Sequence, residues 1–405
     1  MNAADNSWIL ASSALVLLMT LPGLALFYGG LVRAKNVLSV FIQCFAIAAI
    51  VSILWVLGAY SLAFADGGAL QPFLGSLDDA GLLTISPDSV KGSVPAATFV
   101  MFQMTFAVIT PALIVGAYAE RVRFAFVLWF SALWLLLVYV PVAHWVWGGG
   151  WLATLGVMDF AGGIVVHVNA GVAALVCALF IGRRRGFPQV PMPPHSLPLV
   201  ATGAGLLWIG WFGFNGGSAL ASNGTAAFAI LATHVAACTG AAAWAFWEWL
   251  RYGKVSVLGA LTGVVAGLGT ITAAAGFVSP LGGLAIGIGG GSICFFATQW
   301  LKAVLKIDDS LDVSPVHGVG GVVGTLLVAP FASISLGGVG YMVQHDFWSQ
   351  LAVQALGVLA TSVWCGLVTL TLLYVLQSTI GIRVAEDQES EGLDLAEHGE
   401  RSYIN

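Results

Sequence analysis

The sequence predicts an all-α polytopic membrane protein: eleven transmembrane helices, arranged as two inverted five-helix halves plus a final helix, N-terminus outside and C-terminus inside. Three observations predict it. Of 405 residues, 59% are hydrophobic and 8% charged, and a soluble domain carries about a quarter charged residues. The apolar residues fall in runs of about twenty or more, the length that spans a bilayer core as helix. Thirteen of the fourteen lysines and arginines lie on one side of the resulting topology, as the positive-inside rule expects.

The runs justify this in order. A polar start, Met1 to Ser7, has no basic region before the first apolar run, so no cleavable signal peptide is evident in it, and it reads equally as a mature or a native start. The first span, 8–32, ends at Arg33 and Lys35 on the cytoplasmic side. The second, 37–64, returns to an outer loop holding Lys91, the one basic residue left outside. The third, 96–118, leads inward to Arg121 and Arg123, and the fourth, 124–142, leads out again. The stretch 143–158, with Trp145, Trp147, Trp151 and three glycines at 148–150, reads as an interfacial connection. The fifth span, 160–182, ends at Arg183, Arg184 and Arg185. Spans 196–220 and 225–250 lead to Arg251 and Lys254, and spans 255–278 and 280–301 lead to Lys302 and Lys306. The last two, 311–334 and 347–377, place Arg383 and Arg401 inside. Any other count would scatter the charges.

The 51 glycines suit helices packed backbone to backbone. Cys44, Cys177, Cys238, Cys294 and Cys365 all lie in apolar runs without close pairs, so they read as buried free thiols. The chain divides into a transmembrane domain, 1–377, and a polar tail, 378–405. Within the domain the halves cover about 8–182 and 196–334, with the last helix at about 347–377. The acid-rich tail is either a disordered end or a regulatory segment on the cytoplasmic face.

Five spans per half is an odd number, so the halves are inverted, and inverted repeats place a substrate path at their interface near the midplane. Corresponding helices each hold an acid followed by a histidine: Asp159 and His167 in the fifth, Asp312 and His317 in the tenth. A lone membrane histidine is by default a hydrogen-bonded core group, and His234, which has no counterpart, reads that way. The matched pair, in the glycine-rich settings VVHVNAG and PVHGVGG, reads as functional. Imidazole has two distinct nitrogens and can pass a proton or hold a small polar molecule. No metal ligand set accompanies the pair, so neither metal nor cofactor is expected.

The segments PGLALFYGGLVRAKNVLS, GAYAERVRF, AHWVWGGGWL, DFAGGIVVHVNAG, WFGFNGGSA and DDSLDVSPVHGVGG, with GLDLAEHGERSY in the tail, resemble the ammonium transporter family, in its Amt branch. The resemblance covers nearly the whole chain. It implies a homotrimer of eleven-helix protomers in the cell (inner) membrane, each with its own pore, and no enzymatic activity. It implies that His167 and His317 are the twin pore histidines. Trp147, Phe106 and Ser218 match the outer ammonium site, and Phe106 with Phe214 the gate beneath it. Asp159 matches an acid that orders this site rather than touching substrate. By residue type alone, Trp147 would be an interfacial anchor, Phe106 and Phe214 core packing, Ser218 a helix-packing group and Asp159 a helix N-cap.

The implied function is ammonium transport. NH4+ is held by aromatic faces and a hydroxyl, deprotonated at the gate, and passed as NH3 along the histidines, with the proton relayed separately and the transport electrogenic. The alternatives are an electroneutral NH3 channel, an ammonium sensor, and an intramembrane enzyme, for which no nucleophile or metal set is present. The bilayer aside, the implied partner is a cytoplasmic nitrogen-signalling protein of the PII class; nothing points to nucleic acid.

Overall fold

The apolar runs fold as helices that satisfy their own backbone hydrogen bonds, the condition for crossing hydrocarbon. The computed structural model describes residues 1–342 and 344–403. Its long helices are α1 (Ala3–Leu31), α2 (Ala34–Phe64), α3 (Ala96–Tyr118), α4 (Phe124–Thr154), α5 (Gly163–Ile181), α6 (Leu197–Gly216), α7 (Gly224–Tyr252), α8 (Val257–Ile271), α9 (Pro280–Val304), α10 (Ser314–Phe331) and α11 (Phe347–Thr379). Among the described residues, all but α8 are long and apolar enough to cross a membrane; α8 has 15 residues. Between α2 and α3 a small hairpin pairs β1 (Val90–Lys91) with β2 (Val94–Pro95).

Capping residues set several boundaries that hydrophobicity leaves loose. The Asn2 side chain accepts from the Ala4 and Asp5 N–H groups, so α1 starts at Ala3 rather than at 8. Ser196, Asn223, Ser256 and Ser279 cap α6 to α9, and Asp346 with Ser349 forms a capping box on α11. Two expectations are corrected. The helix of the fourth span continues to Val146 before it breaks at 147–150. The His144 ring, lodged between the Ala63 and Gln71 carbonyls, ties down this last turn. The eighth span, expected over 255–278, stops as helix at Ile271 and continues as turns. There the Ala273 carbonyl accepts from the Phe160 N–H.

Small residues bring the helices close: a Cβ on Gly240 of α7 would lie 2.8 Å from the Gly267 Cα of α8. Cys44, Cys177, Cys294 and Cys365 are buried, but Cys238 is exposed on α7. An apolar run does not say which of its faces meets protein.

At the end bearing the basic loops, charges are buried in pairs. Glu120, held in the left-handed region with φ 73°, accepts from the Arg33 N–H at 2.7 Å, Asn36 Nδ2 at 3.0 Å and Arg184 Nη1 at 2.9 Å. Asp308 accepts from the Arg184 N–H at 2.7 Å and from its Nη2 at 2.8 Å. Burial alone would raise the Glu120 carboxyl, but Arg184 and Arg33 outweigh it and hold it below its usual range. Asp308 is likewise held low, burial being outweighed by Arg184 and Arg121.

The tail docks on this cluster as an ordered segment, which removes the disordered-end alternative. It forms α12 (Glu386–Glu391) and α13 (Leu393–His398). Glu389 pairs with Arg383 at 2.7 Å and accepts from the Arg185 N–H. Asp394 accepts from the Ser39 N–H at 2.8 Å and Glu397 from the Phe124 N–H at 2.9 Å. Two tail carboxylates thus cap the α-helical turns that open at Val37 in α2, after a 3-10 turn over Ala34–Asn36, and at Phe124 in α4, where helix N–H groups lack partners.

Candidate functional site

Two buried carboxylates organise the centre of the molecule. Asp159 Oδ1 accepts from the N–H groups of Gly162 at 2.9 Å and Gly163 at 2.6 Å; its Oδ2 accepts from Ile164 at 2.8 Å and Val165 at 3.1 Å. These are the orphan donors that open α5, and Gly162 takes φ 110° to let the chain double back. At α10 the same duty falls to Asp309, which accepts from the Ser314 N–H at 2.6 Å and from the Ser314 hydroxyl. This corrects the sequence pairing of Asp159 with Asp312. Asp312 is partly exposed and paired with Lys302 at 2.7 Å. Spacing was the signal: Asp309 precedes His317 by eight residues, as Asp159 precedes His167.

Both helices begin with a wide π-type turn, Gly163–Val168 in α5 and Ser314–Val319 in α10. Such turns displace side chains from the regular helical positions and recur at functional sites. The two helices cross where Gly171 meets Gly318; a Cβ on Gly171 would lie 2.1 Å from the Gly318 Cα. That approach brings the histidines together. His167 Nδ1 lies 3.1 Å from His317 Nδ1, with ring centroids 5.2 Å apart and planes 14° from parallel. Only one proton fits between two nitrogens at that distance, so one ring donates and the other accepts. Both rings are buried, and His167 Nε2 has no partner.

Trp211 stacks on His167 at 5.5 Å and 17°, anchored by its indole N–H to Thr272 Oγ1 at 2.9 Å. It was missed as a site residue although it opens the quoted segment WFGFNGGSA. Phe214, three residues on, sits in another wide turn, Phe212–Gly216. Its ring packs on that of Phe106 from α3, with centroids 4.2 Å apart and an angle of 33°. Trp147 stands edge-on to Phe106 at 5.7 Å. Its indole N–H donates to the Asp159 carbonyl at 2.9 Å, so this tryptophan is tied into the site. Ser218 donates to the Phe214 carbonyl at 2.8 Å, which leaves its oxygen lone pairs free to accept from another donor.

Three spaces follow one another past these groups. Phe106, Trp147, Asp159 and Ser218 line a recess of about 340 Å³, whose wall also holds Gln103, another residue missed from sequence, with Oε1 unpartnered. Below the phenyl pair is a space of about 10 Å³ lined by His167, Trp211, Phe214 and His317, room for about one water-sized molecule. On its far side His317 also lines a third space of about 120 Å³, with Tyr28, Thr262, Lys302 and Asp312. All the expected site residues therefore border the first two of these spaces. Among the described residues no group of three or more His, Cys, Asp or Glu side chains could hold a metal ion.

Comparison with known proteins decides the family. The model described as "Ammonium Transporter Family" matches residues 7–403. The chain belongs to the ammonium transporter family. It is 45% identical over 410 residues to "Ammonium transporter" of Bacillus subtilis, covering 100% of this chain and 99% of that one. It is 42% identical over 404 residues to "Ammonium transporter Amt1" of Archaeoglobus fulgidus, covering 100% of both. Among solved structures it resembles Saccharomyces cerevisiae Mep2, with a TM-score of 0.87 and 36% identity over 95% of this chain and 91% of that one. It also resembles a "Sensor Amt Protein", with a TM-score of 0.90 and 30% identity over 98% of both. Family and apolar helices together make it a multi-pass membrane protein.

Proposed function

We propose that the protein carries ammonium across the cell membrane, capturing NH4+ in the 340 Å³ recess and conducting NH3 past the histidine pair. The observation that carries this reading is the 10 Å³ space lined by Phe214, whose ring packs on that of Phe106, and flanked by two buried imidazoles. A charged group at a bilayer centre costs at least ~2.5–3.5 kcal/mol, and a space of this size offers a cation no hydration shell. NH4+ escapes the cost by giving up its proton; potassium, of similar size and charge, cannot.

Trp147 and Phe106 present aromatic faces to the cation, Ser218 accepts one of its N–H groups, and Asp159 holds the turn on which Trp147 rests. Phe106 and Phe214 exclude water until a molecule passes. His167 and His317 then offer one shared proton position and one free nitrogen, a path for NH3 and for the separated proton. Transport is accordingly electrogenic. The N-terminus and the recess face outside. The basic loops and docked tail face the cytoplasm and present the surface for a PII-class protein, and the protomers assemble as homotrimers.

Ammonium-evoked current in proteoliposomes tests this for wild type, His167→Ala and His317→Ala. The variants are expected to lose current or selectivity over potassium; unchanged values for both overturn the role of the pair. Fast ammonia flux with no current would make the protein a neutral gas channel. The likeness to the sensor structure favours a second reading, ammonium sensing, which predicts saturable binding without flux. A pull-down with the host's PII-class protein that captures nothing removes that partner.

A further inference from the structure

Lys91 stands beside the recess, next to Phe99 of its wall. It lies on β1, in the hairpin that leads into α3. Its Nζ is 5.9 Å from the centroid of the Phe99 ring, within the range in which an aromatic face attracts a cation. Phe99 lines the recess with Phe64, Phe106 and Trp147 and packs edge-on against Phe64 at 5.2 Å. Two residues beyond Lys91, the Ser93 hydroxyl reaches the carbonyl of Leu220, which also lines the recess. The hairpin therefore sits on the recess wall from two sides. Of fourteen lysines and arginines, Lys91 is the one whose place in sequence lies away from the basic end. It carries the same functional group as the proposed substrate, an ammonium nitrogen, and holds it against the aromatic wall of the proposed capture site.

We propose that Lys91 is an affinity-setting residue of this recess: a fixed ammonium group beside its wall that raises the ammonium concentration needed to half-fill the site. The inference rests on the reading of the recess as the capture site. Two unit charges about 10 Å apart in water repel enough to change an equilibrium about twofold. Salt weakens the effect, because the screening length is about 10 Å at 0.1 M ionic strength. The repulsion acts on any monovalent cation, so it shifts half-saturation without changing the preference for ammonium over methylammonium.

The test is the half-saturating ammonium concentration of the evoked current in proteoliposomes, at about 10 mM and about 500 mM ionic strength. At low salt Lys91→Gln is expected to lower it about twofold, Lys91→Glu to lower it further, and Lys91→Arg, which keeps the charge, to stay with wild type. At high salt the differences shrink. Equal values for wild type and Lys91→Gln at low salt, a shift that survives high salt undiminished, or an Arg variant that behaves as Gln overturns the inference. Trp147→Ala, measured alongside, separates two failures. If it shifts half-saturation while the Lys91 variants do not, this inference falls and the capture site stands. If neither shifts it, both fall.

Discussion

The histidine pair and the Arg184 cluster are both polar groups buried in an apolar protein, and they differ in what they leave unpaired. Every carboxylate oxygen of Glu120 and Asp308 accepts a hydrogen bond. At the pair, His167 Nε2 has no protein partner, and the ring lines a space the size of one small molecule. Buried polar groups are normally satisfied, and an exception calls for a reason. The cluster, with every carboxylate oxygen paired, joins loops that are far apart in sequence, whereas the histidine pair leaves a place for something that passes through.

The comparison is broken most forcefully at Arg184. Arg184→Ala leaves Asp308 with only the backbone N–H of residue 184 and Glu120 with only Arg33 and Asn36, and losing one partner of a buried pair costs roughly 3–5 kcal/mol. A large fall in apparent Tm in detergent is expected; a Tm within a degree of wild type would mean the cluster holds nothing. The same cluster sets an acid limit. Glu120 and Asp308 are held below their ordinary range, so their stabilisation is full above the unfolded value of about 4 and is lost as pH falls through the folded value. Apparent Tm should be flat from about pH 8 to 5 and drop below about 4, and the drop should be smaller in Arg184→Met.

Next in size is Asp159→Asn. One amide oxygen cannot accept from the four N–H groups that the carboxylate holds. Each donor left unpaired costs about 1–3 kcal/mol, and both Tm and current should fall. Asp394→Ala, which removes one helix cap, should cost about 1 kcal/mol and increase proteolysis of the tail before the membrane domain. The smallest stability effect belongs to the double variant His167→Gln/His317→Gln, whose side chains fill most of the volume of the two rings. Its Tm should move least of the series while its current changes most. The reverse order would make the pair structural and the distinction between the two regions void.

Much of the site was legible in sequence because its chemistry comes in short, distinctive segments. His167 and His317 stood out as ionisable groups in matched apolar helices, and the aromatic and serine residues followed from segments that resemble the family. Asp309 was overlooked because three acids crowd 308–312, and composition does not say which one turns inward. Trp211 and Gln103 were missed because a tryptophan or glutamine in an apolar helix has many neutral explanations. The order of the tail was not legible either: its acids look like a solvated segment until α2 and α4 supply unpaired N–H groups for Asp394 and Glu397 to meet.

By itself the sequence determined that the chain is a helical membrane protein with its basic residues gathered at one end, because hydrophobic length and charge placement are local properties. Through its motifs it also determined the family. Only the tertiary structure decided that Asp309 rather than Asp312 mirrors Asp159, that the tail is docked, and that Lys91 reaches the recess wall. Those outcomes depend on which helix faces meet, and the meeting of Gly171 with Gly318 that sets the 3.1 Å histidine contact joins residues far apart in the chain.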